Sequence, residues 1–527
     1  MLFGNLASTT LALALFSPAH AKTSDSQETE KSHHHGRHGK EKSAKFDPED
    51  FVQGLHIEYA PAGTSCTKTQ PPVITHPVKP LTGHEIPVPK TGLNYGYSSF
   101  DSTKTVACDH KWYKPPRHAV PRCTPAESVP FPKNEEKNCI KIRSVADYHK
   151  YVPDAGKSIL KHACVILENF AFDSATTMRF KMPPNSFFGC RGTIVGFPDS
   201  PIKEEQAMIE YVHGLNSTIA GDHCLIYMQG EKSFNGKHNS ASSRAFDISE
   251  ANGLYVNGIT IIQDNAPFFH INGDNILMED CNVIAATPYP SNDRNADGYQ
   301  IAANNFTLQK SFIQSGDDLI ALRRTTKAVF QCLTTYYGHA LAIGGVGQND
   351  LAENVVFRDI EMVGPERAMR IKADKWETGL VKNVLYENIR FYMANTSGIS
   401  LTQDYTNFPV PDGLPDTGVV FENIRFKNIR GSVSNREPAY LTTLVDILCS
   451  AGHSKGGCKK LLFDDVSIVS GDKTQYGSLF VNFDPTGTGL TVGGPQNITK
   501  YDSPGKMNKG IPNDNSQTFT HKSPASH

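Results

Sequence analysis

The chain has 527 residues, a formal net charge of −2 and 11 cysteines. That length allows a long core with extensions. The near-zero charge excludes the basic surface that binding to nucleic acid or an anionic membrane needs, and no stretch after the first 25 residues reaches membrane-spanning apolar length.

Residues 1–21 read as a secretory signal: Leu11-Ala-Leu-Ala-Leu-Phe16 is apolar and Ala19-His-Ala21 suits cleavage. A secreted, extracellular protein is therefore expected. Residues 22–46, with His33, His34, His35 and His38, read as a disordered polar linker. Residues 47–138 are Pro-rich and aperiodic, and their pattern assigns no fold. Ser144-Val-Ala-Asp147 is a capping box that opens a short helix, expected to plug the N-terminal end of the domain that follows.

From 139 to 484 one motif recurs: Asn275-Ile-Leu-Met-Glu-Asp, Asn305-Phe-Thr-Leu-Gln-Lys, Asn354-Val-Val-Phe-Arg-Asp, Asn383-Val-Leu-Tyr-Glu-Asn and Gly418-Val-Val-Phe-Glu-Asn, with weaker copies from 253, 327 and 460. Each reads as strand, short turn, strand. Spacings of 22 to 42 residues mark a repeat array. No helical period separates the units, and one strand-rich turn cannot bury its apolar face unless it stacks on others. The expected architecture is all-β, a right-handed parallel β-helix (solenoid). Residues 485–527 read as a disordered polar tail.

Chemistry-bearing residues fall at one recurring place in this array: Asn295-Ala-Asp297, Gly316-Asp317-Asp318, Gly338-His339-Ala340, Arg370-Ile-Lys372 and Gln403-Asp-Tyr405. Asp317 and His339 each lie 12 residues into their units, which predicts one above the other at about one strand spacing, 4.7–4.9 Å. Glycoside hydrolysis needs an acid to protonate the leaving oxygen and a carboxylate to activate water or attack carbon. Three crowded aspartates supply both, because repulsion keeps one protonated well above the free value of about 3.9. Two cations on one strand face suit a substrate carboxylate. The predicted ligand is an acidic polysaccharide. Clustered aspartates also suit calcium, so a calcium-dependent lyase with Arg370 as base and a non-catalytic binding protein stand as alternatives.

Together these motifs resemble the polygalacturonases of glycoside hydrolase family 28, whose pattern reads Asn-Thr-Asp, Asp-Asp, Gly-His-Gly, Arg-Ile-Lys, Tyr. Asn265-Ala-Pro-Phe-Phe-His270 is similar to a further family segment. The resemblance covers roughly 139 to 470. It implies inverting hydrolysis of 1,4-linked α-galacturonosyl bonds in pectin by a monomer without cofactor or catalytic metal. Asp317 would be the general acid, and Asp297 and Asp318 would activate water. His339 would support the acid's protonation, Arg370 and Lys372 would hold a galacturonate carboxylate, and Asn295 and Tyr405 would position sugars. An inverting pair implies carboxyl groups about 6.5–9.5 Å apart. Ala296 and Ala340 depart from the family's Thr and Gly, and Leu319 from the cysteine of many fungal members.

Cys139 and Cys164 resemble the family's disulfide-capped first coil, while Cys449 and Cys458 flank a Gly/Ser/Lys loop that suits a local bridge. Asn216, Asn305, Asn395 and Asn497 lie in Asn-x-Ser/Thr sequons open to N-glycosylation.

Overall fold

A computed structural model describes residues 56–57, 74–75, 131, 138–173, 176–197, 206–228, 244–263, 267–285, 296–374, 377–405, 417–434, 442–450, 457–471, 476–492 and 496–499. The expected signal, the His-rich linker, Asn295 and most of the Pro-rich extension lie outside the described residues. Within that extension His56–Ile57 pairs antiparallel with Ile74–Thr75.

From Ile140 onward the chain is a right-handed parallel β-helix. Tyr299–Gln309 pairs in parallel with Phe269–Glu279 on one side and with Ile320–Arg324 and Ala328–Tyr337 on the other. Asp350–Val363, Thr378–Ala394, Gly418–Val433 and Gly457–Ser470 continue the stack. Two left-handed bends five residues apart turn each coil: Asn354 and Asp359, Asn383 and Asn388, then Asn423 and Asn428. Asn and Asp tolerate positive φ better than other side-chain-bearing residues, which is why the motif carries them there.

The bends also bond to one another. Asn383 Nδ2 donates to Asn354 Oδ1 at 3.1 Å, and Asn423 Nδ2 to Asn383 Oδ1 at 2.7 Å. The second bend repeats this, Asn428 on Asn388 at 2.8 Å and Asn388 on Asp359 at 3.0 Å. Three residues past the first bend, Phe357, Tyr386, Phe426 and Phe463 stack in the core with centroids 4.7, 5.1 and 5.2 Å apart. Burying each such ring stabilises the fold by about 1.5–3 kcal/mol.

This register corrects one repeat. Asn383 is matched by Asn423, because Lys382 pairs with Glu422 and Val384 with Ile424. The Gly418 copy is therefore five residues out of step: its similarity to the Asn383 unit is real, but Phe426 and not Phe421 meets Tyr386. The core wants an aromatic at that level, and sequence similarity alone does not see the level.

The N-terminal plug forms as expected. The helix Val145–Tyr151 is capped by Ser144, whose Oγ accepts from the Asp147 amide at 3.1 Å. The Asp147 carboxylate takes the Arg143 amide rather than that of Ser144. Tyr148 is buried, its ring 5.5 Å from that of Phe180. At the other end the array runs past the expected boundary at 484, since Leu490–Val492 and Gln496–Thr499 each add a parallel rung.

Cys139–Cys164 and Cys449–Cys458 are disulfide-bonded, as is Cys190–Cys224, a pair the sequence spacing did not nominate. Among the described residues Cys281 is a free, buried thiol.

Candidate active site

The coils present one strand face on which core and outward residues alternate with period two. Tyr299, Ile320, Leu341, Met369 and Ile399 are level with one another and buried. One residue further along, Gln300, Ala321, Ala342, Arg370 and Ser400 form the outward row. The alanines at its centre are buried. Two residues before the buried row stand Asp297, Asp318, His339 and Arg367, each at the entry to its strand. By backbone register His339 is therefore level with Asp318, not with Asp317 as the sequence offsets suggested. The imidazole still reaches Asp317, Nδ1 to Oδ1 at 2.7 Å.

The carboxylates converge on one amide. Asp318 N donates to Asp317 Oδ1 at 2.8 Å and to Asp297 Oδ1 at 3.2 Å. Those two oxygens cannot be further apart than the two bonds laid end to end. Oxygens of Asp317 and Asp318 lie within 4.8 Å of each other. The carboxylates thus sit closer than the about 6.5–9.5 Å expected of an inverting pair, because adjacent residues of one turn and the next coil's amide hold them.

Lys372 is buried, and its Nζ lies 2.6 Å from Asp318 Oδ2. Its charge therefore neutralises Asp318 and is not free for a substrate carboxylate. Burial works against this ammonium, but Asp318 and then Tyr405 raise its pKa. Asp318 Oδ1 is buried with no hydrogen-bond partner among the described residues. Arg370 and Lys372 both approach the Tyr405 ring, at 5.3 and 5.0 Å from its centroid, a cation–π arrangement that orients all three.

Burial, then the charges of Asp317 and Asp318, push Asp297 well above the usual carboxylate range, with Lys372 and Arg323 opposing. The proton that crowding should retain is thus favoured on Asp297. Burial opposes the His339 cation, yet Asp317, Glu366 and Asp318 overcome it and raise its pKa to about 10.

Sequence reasoning missed Glu366 and Arg367. Glu366 Oε2 lies 3.3 Å from His339 Nε2, and its other oxygen bonds Arg367. The signal was present as Pro365-Glu366-Arg367, three residues before Arg370, but only the fold brings it to His339. Gln403, part of the expected ladder, instead serves the fold: it is fully buried, donating to Val419 O and accepting from Ser450 N, both at 2.7 Å. His270 bonds Asp247 at 2.8 Å on the outward row. Ala296 and Ala340 are both buried, and their carbonyls accept from Asp317 N and Leu319 N. The methyls therefore line no open cleft.

Of the sequons, Asn216 and Asn305 are exposed, though Asn305 Nδ2 donates to Asn275. Asn395 is 3 % exposed, and a glycan there has no room in the folded chain. Asn497 lies in the strand Gln496–Thr499.

The family described as Glycosyl hydrolases family 28 matches residues 189–481, which contain this whole wall. The chain belongs to that family. It is 31% identical over 236 residues to a probable endopolygalacturonase D of Neosartorya fischeri, covering 44% of this chain and 45% of that protein. It is 28% identical over 266 residues to a polygalacturonase of Fusarium fujikuroi, covering 49% and 65%. The match thus spans about half the length of such curated relatives. In fold it is similar to endopolygalacturonase I of Stereum purpureum, with TM-score 0.52 and 18% identity, covering 69% of this chain and 99% of that one. The endo-xylogalacturonan hydrolase of Aspergillus tubingensis also scores 0.52, at 14% identity, covering 68% and 99%.

Proposed function

We propose that the protein is a secreted glycosidase that hydrolyses 1,4-α-galacturonosyl linkages in pectic polymers, in the endo mode that its relatives' names carry. The observation that supports this most is the convergence of three carboxylates, an imidazole and two cations on one wall of the solenoid. Asp317 protonates the leaving oxygen, backed by His339. Asp318 activates water through Oδ1, the oxygen that Lys372 leaves unengaged, and Asp297 joins it once it has lost its proton. Arg370, set against Tyr405, receives a uronate carboxylate. Asn295, outside the described residues, keeps the sugar-positioning role that the family resemblance implies. Disulfides among the described residues suit the oxidising surroundings of a secreted protein.

Polygalacturonate incubated with the protein should yield new reducing ends in a spread of oligomer sizes, without ultraviolet-absorbing unsaturated products. Proton NMR of the first product should show inversion at the anomeric carbon. Retention would mean that one of the closely spaced carboxylates attacks carbon directly. The calcium-dependent lyase reading fares worse. Lys372 occupies Asp318, and the protonated imidazole occupies Asp317, where a hard cation would bind. Activity lost to chelator and restored by calcium would reverse that judgement.

A further inference from the structure

His339 is held between two carboxylates. Its Nδ1 faces Asp317 Oδ1 at 2.7 Å and its Nε2 faces Glu366 Oε2 at 3.3 Å. A carboxylate accepts and does not donate, so each ring nitrogen that bonds one must carry a hydrogen. With Asp317 ionised, both contacts are made together only by the imidazolium. Glu366 is itself fixed: it is 6 % exposed, and its second oxygen is taken by Arg367. Arg367 in turn lies in the field of Asp446, whose carboxylate is held by Ser400 Oγ at 2.6 Å and Thr443 Oγ1 at 3.2 Å. A chain of alternating charge, Glu366, Arg367 and Asp446, thus continues from the Nε2 side of the imidazole. Glu366 touches no reacting atom.

We propose that Glu366 is a positioning residue that pins the Nε2 hydrogen of His339, so that the Nδ1 hydrogen is the one delivered to recharge Asp317 between turnovers. This rests on the acid/base hydrolysis proposed above. After Asp317 has protonated the leaving oxygen, the Nδ1–H bond breaks and an O–H bond forms on Asp317. Nδ1 keeps the electron pair, and the ring becomes the neutral Nε2–H tautomer, still bonded to Glu366. The base carboxylate loses to solvent the proton it took from water, and His339 regains one from solvent, which closes the balance. The groups that set this proton's energy are Asp317, Asp318 and Asp297 on one side of the ring, and Glu366 and Arg367 on the other. Lys372 acts through its pair with Asp318. Burial disfavours the cation, while the Asp317 and Glu366 charges together outweigh that cost.

Glu366→Gln keeps the size and a hydrogen-bond acceptor but removes the charge. The alkaline limb of its kcat profile on polygalacturonate should move to lower pH by about one unit. Above the optimum kcat should fall about tenfold with KM within about twofold, and Glu366→Asp should restore most of the loss. An alkaline limb unmoved in Glu366→Gln overturns the proposal, because a merely structural role would leave it in place. Should Glu366→Gln fail to fold, nitrogen-15 NMR of the wild-type histidines decides, with the His339 signal assigned by its loss in His339→Gln. Both ring nitrogens protonated at pH 8 supports the proposal, and a neutral ring at pH 8 overturns it. That measurement needs no substrate, so it stands apart from the test of the hydrolysis itself.

Discussion

The same coils that stack asparagine on asparagine at their bends stack unlike residues on the catalytic wall. At the bends Asn354, Asn383 and Asn423 occupy one level, Asn383 donating to the Asn354 carboxamide and Asn423 to that of Asn383. Identical residues at identical positions satisfy each other, and the ring stack three residues further on follows the same rule. On the wall the level reads Asp297, Asp318, His339, Arg367. Stacking there brings like charges together, buries Lys372 against Asp318 and raises the Asp297 pKa. One geometry yields stability where the sequence repeats and reactivity where it does not.

The sharpest test of that contrast is Asp317→Asn. Hydrolysis of polygalacturonate should fall by about 10²–10⁴-fold, as expected for loss of a general acid, with the circular dichroism spectrum essentially kept. Next is Lys372→Met, which leaves Asp318 buried without its cation. Breaking a buried pair costs about 3–5 kcal/mol, seen as a lower denaturant midpoint, and activity is lost with it.

At the bends the effects are smaller and purely structural. Asn383→Ala removes two ladder bonds and places Ala at φ 54. The cost should be about 1–3 kcal/mol, with kcat unchanged once the protein is folded. An equal loss of kcat would mean that bends and wall are not separable. Tyr386→Phe is smaller still. Its hydroxyl is buried with no hydrogen-bond partner among the described residues, so its removal should leave stability unchanged or raise it by up to about 1 kcal/mol.

The wall also gives the fold a pH dependence. His339 has a folded pKa raised to about 10, above its ordinary 6.5. The folded state therefore binds this proton more tightly than the unfolded one does. Its contribution is fully present below pH 6.5 and is lost as pH rises toward about 10. Asp297, also raised, acts in the same direction from the ordinary carboxylate range upward. The melting temperature should fall between pH 6.5 and 10 in the wild type, and fall less in His339→Gln. In catalysis Asp297 must ionise to help activate water, which sets the acidic limb, while the acid must stay protonated. The optimum should be acidic.

The solenoid, and which chemistry-bearing residues gather on its wall, were legible in the residue pattern. A repeated Asn-aliphatic-x-aromatic motif has one economical arrangement, coils stacked in parallel, and residues at a recurring place in it must share a face. The local bridge Cys449–Cys458 and the helix cap at Ser144 were legible for the same reason, since nearby residues constrain them. Only the tertiary structure decided matters that depend on register and long-range approach. These were the five-residue shift that sets Asn423 on Asn383, the Cys190–Cys224 bridge, and the burial of Asn395. So were the pairing of Lys372 with Asp318 and of Glu366 with His339. A repeat fixes which residues recur, but side-chain reach across coils fixes which of them meet.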